Sequence, residues 1–171
     1  MAMRPGPARE AKQAILDAWA TNNRINQFLV ERIPEKLWRA DPPNKVGRNV
    51  AQIFAHIHNC RLMWLTMTVR PGKRPASLDR KKCTRQQVVR ALGQSAAILA
   101  KALEAGLSRP DLKVKDFPPD AVAFFSYMII HEGHHRGQVL QLAHQLGFKL
   151  PNDTKYGVWF WSKRRKEAGM R

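Results

Sequence analysis

Five of the six histidines in this chain fall in two short runs. Imidazole is the side chain best suited to bind a divalent metal or to move a proton near neutral pH. The first run is Ala55-His56-Ile57-His58 and the second is His131-Glu132-Gly133-His134-His135. Residues four apart on an α-helix lie one turn apart on one face, so His131 and His135 can point at the same ion. Going back from His135 by threes and fours reaches His131, Met128 and Phe124; going forward reaches Val139, Leu142 and Leu146. The pair is therefore expected on an apolar, core-facing stripe. Two imidazoles that lose water together need compensation there, and one cation compensates both. His134 falls on a more polar row with Tyr127, Ile130, Gln138 and Gln141, at the boundary with solvent. In the first run, His56 shares a row with Ile53, Cys60, Met63 and Met67, and His58 with Phe54, Leu62 and Leu65. Periodicity does not separate these two, and either can supply a third ligand from a second helix.

The second run also matches H-E-x-x-H, the zinc-protease helix in which the glutamate is a general base. The extended form of that motif fails, because Gln138 stands at its glycine position and Gln141 at its third histidine. Glu167 is the only later glutamate, and the strands such an enzyme needs have no pattern here. Glu132 is thus expected at the surface or beside the ligands rather than as a base.

Helices must carry these runs. Ile15, Trp19, Ile25, Phe28, Leu29 and Ile33 recur at helical spacing, predicting a helix from about Ala8 to Ile33 that breaks at Pro34. Leu37-Trp38 is expected beneath the following loop, and Pro42-Pro43-Asn44 is a turn. A second helix is expected from about Arg48 to Thr68, followed by a loop at Arg70 to Pro75. Thr84 is a candidate N-cap for a third helix through Val88, Leu92, Ala96, Leu99 and Leu103 to about Gly106. Pro118-Pro119-Asp120 opens the fourth, which runs to Gly147. Tyr156 to Glu167 is expected to form a short capping helix that packs Trp159, Phe160 or Trp161 over one bundle end. No strand pattern or internal repeat competes. The expectation is an all-α, four-helix bundle occupying residues 1–171 as a single domain, with crossovers rather than a simple up-down order.

A chain of 171 residues is long enough for a real core. It shows no apolar signal segment and no run of about 18 apolar residues, so a soluble cytoplasmic protein without a membrane span is expected. Two cysteines, Cys60 and Cys83, make no disulfide framework. Cys60 reads as a buried filler, whereas Cys83, beside Lys82 and Arg85, would have a lowered pKa if exposed. The net charge of +17 permits a nucleic-acid partner or an anionic ligand. The basic residues are scattered, however, and do not alternate with aromatics as on a stacking platform, so nucleic acid is not favoured.

Ala55-His56-Ile57 with Trp64, the string His131-Glu132-Gly133-His134-His135-Arg136-Gly137-Gln138 and the late Tyr156-Gly157-Val158-Trp159-Phe160-Trp161 together resemble the DinB-like superfamily over most of the chain. That resemblance implies a four-helix bundle, often a homodimer, with nickel, zinc or a related divalent ion on three histidines. Carried over by position, the ligands are His56, His131 and His135, and His58 and His134 are left beside them. Some relatives use low-molecular-weight thiols such as bacillithiol or mycothiol. The expected activity is therefore a metal-dependent transfer using such a thiol on a small-molecule substrate. The alternatives are hydrolysis by metal-bound water, or a basic binding protein whose metal is structural or absent.

Overall fold

The computed structural model describes residues 7–68, 74–109 and 120–170. Four long helices account for most of them: α1 (Pro7–Arg32), α3 (Val50–Thr68), α4 (Arg85–Leu107) and α5 (Ala121–Gln145). Between and after them lie α2 (Glu35–Trp38), α6 (Asn152–Lys155) and α7 (Trp161–Glu167), with short 3₁₀ turns at Pro43–Lys45 and Gly157–Trp159. No strand occurs among the described residues. Nor is any helix among them long and apolar enough to cross a membrane. The expected loop at Arg70 to Pro75 falls largely outside the described residues, as do Pro118 and Pro119.

Local chemistry sets the helix ends. Asn49 and Gln52 exchange side-chain and backbone hydrogen bonds at the start of α3, and Thr84 and Gln87 do the same at α4. Each such box satisfies two backbone N–H groups that the first turn leaves unpaired. The Asp120 carboxylate accepts from the Ala123 N–H at 2.6 Å and so caps α5. At its other end Gly147 takes φ +74°. There the Gly147 N–H donates to His144 and the Phe148 N–H to Ala143, the pairing of a Schellman stop.

The core is two apolar clusters separated by a buried polar layer. One cluster holds Ile25, Leu29, Ile57, Val88, Leu92, Val139 and Leu142; the other holds Trp19, Cys60, Leu65, Ala96, Leu99, Phe124 and Met128. Between them, on all four long helices, lie Asn22, Asn23 and Asn26, then Arg61, Ser95 and Glu132, all buried. The order in which each helix passes the clusters gives its direction: α1 and α5 run one way, α3 and α4 the other. The chain must therefore return along the molecule between α3 and α4. The returning segment lies beside α3, tied at His58 to Ala76, Asn59 to Leu78 and Ala51 to Cys83. This is the crossover expected in place of an up-down order.

The C-terminal segment departs from expectation. Instead of aromatics capping a bundle end, Trp159 is 78% exposed, and Phe160 and Trp161 are also open to solvent. α7 packs along α1 through Arg164, which is buried with its guanidinium 3.9 Å from the centre of the Phe28 ring. The long aliphatic stem of an arginine buries as readily as an apolar side chain, and its flat head stacks on a ring.

Candidate metal centre

The two histidine runs meet. α3 delivers His56, α5 delivers His131 and His135, and one ring nitrogen from each lies within 4.8 Å of the other two. The ring centroids are 5.4 Å apart for His56 and His131, 4.7 Å for His56 and His135, and 4.5 Å for His131 and His135. His131 Nε2 and His135 Nε2 approach to 3.2 Å. Two nitrogens on one zinc, each bound at about 2.0–2.1 Å, stand roughly 3–3.4 Å apart, so the spacing suits a shared ion.

The protonation of the cluster suits it too. Burial, then the charge of Arg48 and the neighbouring imidazoles, lower the His56 pKa to about 4. Burial also leads the lowering at His131 and at His135, where the Gln138 hydrogen bond works against it without cancelling it. All three rings are thus neutral at pH 7 and offer lone pairs with no proton to displace. The donor set, three imidazoles and no carboxylate, fits zinc, nickel or a similar borderline cation and would leave coordination positions open.

Gln138 decides which His135 nitrogen is free. An amide oxygen can only accept, so His135 Nδ1–H donates to Gln138 Oε1 at 2.7 Å, leaving the Nε2 lone pair toward His131. The other end of the same amide donates to His134 Nε2 at 3.0 Å. His134 itself is exposed, and it reaches the cluster only through Gln138 and an edge contact with the His135 ring. On the far side Tyr127 stacks against His131, with centroids 5.9 Å apart and planes 19° from parallel.

His58 does not join the cluster. Its Nε2–H donates to the Ala76 carbonyl at 3.0 Å, so it pins the returning segment to α3. Glu132 is neither a base nor a surface residue: it is fully buried. Arg61 grips it with two bonds, Nε to Oε1 at 2.6 Å and Nη2 to Oε2 at 2.8 Å. Asn22 and Asn26 each add a donor to Oε2 at 2.6 Å. Burial alone would raise the Glu132 pKa, but the Arg61 charge and hydrogen bonds, with Arg136 and Asn26, outweigh it and hold the carboxyl below its ordinary value. A carboxylate buried from solvent and held by Arg61 through both oxygens is not placed to serve as a base, and the H-E-x-x-H reading fails on that geometry. Cys60 is buried with its thiol pKa raised, chiefly by burial, as a filler would be. Cys83 is buried as well, and burial raises its pKa despite nearby Arg39, so the exposed, activated thiol does not exist.

Three features were missed in the sequence. Gln138 stands three residues after His135 and four after His134, a spacing that does place an amide beside both rings. Asn22 and Asn26, also four apart, and Arg61 within a largely apolar helix were the available signs of the polar layer. Arg48, just before α3, carries no periodic signal.

A sequence model of the DinB family matches residues 9–166 of the chain. No curated protein and no solved structure gives a match.

Proposed function

The chain belongs to the DinB family, and from that premise we propose that it binds one divalent ion, nickel or zinc, through His56, His131 and His135. We further propose that it uses this ion in transfer chemistry with a low-molecular-weight thiol. The observation that carries the reading is the convergence of three neutral imidazole nitrogens from two helices, with no acid among them. Such an ion, when bound, lowers the pKa of a coordinated thiol and supplies a thiolate nucleophile at neutral pH. The protein's part is orientation and exclusion. Gln138 fixes the His135 tautomer, Tyr127 fixes the His131 ring plane, and the polar layer beneath holds α5 against α1 and α3. Thiol transfer is preferred to hydrolysis because Glu132, the one carboxylate within the motif, is locked on Arg61 and cannot take a proton from water. A homodimer belongs to the same reading, supported by the exposed Tyr156, Trp159, Phe160 and Trp161.

The test is elemental analysis of protein purified without a histidine tag. We expect about one equivalent of metal, lost in His56→Ala, His131→Ala and His135→Ala with helical circular dichroism intact. Full metal retention in all three variants overturns the assignment. A rise in absorbance near the sulfur-to-metal charge-transfer region, when a thiol is added to the cobalt-loaded protein, separates a thiol-accepting site from a closed structural one.

A further inference from the structure

A groove of about 830 Å³ opens beside the histidine cluster, between the Pro42–Arg48 loop and the outer face of α5. It touches the cluster through Gln138 and His134, the amide and imidazole that orient His135. Its polar lining is one guanidinium, Arg48, the His134 ring and the amides of Gln138, Gln141 and Gln145; no carboxylate contributes. Gly133 and Gly137 form part of its wall, and a Cβ at Gly137 would meet nothing within 4 Å, so the groove is open along the helix.

Elsewhere many arginines are matched to acids. Arg24 pairs with Glu31 and Glu167, Arg32 with Asp153, Arg85 with Glu35, and Arg165 with Asp17. Arg48 forms no ion pair with any carboxylate among the described residues, although its field reaches all three imidazoles of the cluster. A divalent ion on three neutral ligands keeps its full charge. With Arg48 close by, the mouth of the site would hold two positive centres and no protein anion between them. Like charges brought together favour a ligand that answers both.

We propose that this groove is the specificity pocket for an anionic substrate thiol, whose carboxylate is seated on Arg48 and whose amide groups meet Gln141 and Gln145. This rests on the metal-binding reading above and adds to it the chemical class of the ligand: a thiol bearing at least one carboxylate. A guanidinium is the natural partner because its planar fork matches the two carboxylate oxygens.

The experiment titrates the cobalt-loaded full chain with matched thiols and follows the visible spectrum. N-acetylcysteine is compared with its uncharged amide, and N-acetylglutathione with its uncharged diethyl ester, so that a short and a long reach are both sampled. We expect at least one acid to bind about tenfold more tightly than its uncharged counterpart, the factor that roughly 1.4 kcal/mol supplies. Arg48→Gln abolishes that preference, while Arg48→Lys keeps part of it. Arg48 is exposed, so neither variant is expected to disturb folding, and circular dichroism checks this. Absence of preference in the natural protein, or a preference that survives Arg48→Gln, overturns the proposal. Absence of any cobalt spectrum before thiol is added overturns the metal reading and this proposal with it.

Discussion

His135 Nδ1 and Gln138 Oε1 are 2.7 Å apart, one turn along the same helix, and that bond leaves His135 Nε2 unprotonated 3.2 Å from His131 Nε2. Residues that orient a ligand imidazole this way typically account for 10–100-fold in metal affinity. Gln138→Leu is therefore expected to weaken divalent-metal binding by roughly that factor, measured by competition with a chromophoric chelator. Gln138 is exposed, so the melting temperature of the metal-free protein should hardly move. His134→Ala should do less, because Gln138 can still accept from His135 without it. Unchanged affinity in Gln138→Leu would mean that the bond does not select the tautomer.

Arg61 and Glu132 form an ion pair with both side chains fully buried. Arg61 also donates to Asn23, the Leu92 carbonyl and Ser95, and lies over the Trp19 ring. Removing one member of such a pair strands the other charge in the core, at a cost of about 3–5 kcal/mol. Glu132→Ala is expected to lower the unfolding free energy by that much, measured by urea titration. The double replacement by methionine should destabilise less than the sum of the two single changes, with a coupling of about 0.5–3 kcal/mol. A catalytic base would behave in the opposite way, with stability kept and activity lost. If Glu132→Gln folds as stably as the natural protein, the structural account of this carboxylate is wrong.

The helices and the His131–His135 pair were legible because both depend on local period alone. The polar layer was not, because its partners lie far apart in sequence: Arg61 and Glu132 are separated by 71 residues, and Asn22 and Glu132 by 110. An arginine or glutamate on a helix reads as surface until its partner is known. The placement of His56 beside the pair and of His58 against Ala76 had the same character, since it depends on where the returning segment crosses α3. The C-terminal aromatics misled for a different reason. Trp159, Phe160 and Trp161 promise burial by type, yet it is Arg164, in a segment that reads as a basic cluster, that fills the contact with α1.

The cluster also makes a prediction about acid. His56, His131 and His135 have pKa values lowered in the fold, first by burial, and burial lowers that of His58 as well. From the ordinary value of 6.5 downward the unfolded chain takes up protons that the folded chain refuses. Stability of the metal-free protein should therefore fall as pH drops through 6.5 toward about 4, where His56 titrates. Glu132 has the lowered carboxylate's sign: its contribution is present above 4.5 and is lost only below that. Urea midpoints taken between pH 7.5 and pH 5 isolate the histidine effect. Saturating metal should steepen the slope, because protons and metal then compete for the same nitrogens. A flat profile in the metal-free protein contradicts the burial account of these rings.

Gly157 is where the C-terminal segment meets α1. A Cβ built there would lie 2.5 Å from Phe28 Cζ and 2.8 Å from Cε1, far inside contact distance. Gly157 has an ordinary negative φ, so the requirement is for space and not for an unusual backbone. Phe28 is itself buried and carries the Arg164 guanidinium on its face, so it has little freedom to move aside. Gly157→Ala should overpack this junction at a cost of about 1–3 kcal/mol, read from the urea midpoint. The strain belongs to one pair of groups, so Phe28→Leu, destabilising alone, should recover part of the loss when combined with Gly157→Ala. A double-mutant cycle measures that recovery. Metal stoichiometry should stay unchanged throughout, because His56, His131 and His135 are carried by α3 and α5 while the junction ties α1 to the C-terminal segment. Strict additivity of the two substitutions would show that Gly157 is required for some reason other than the Phe28 ring.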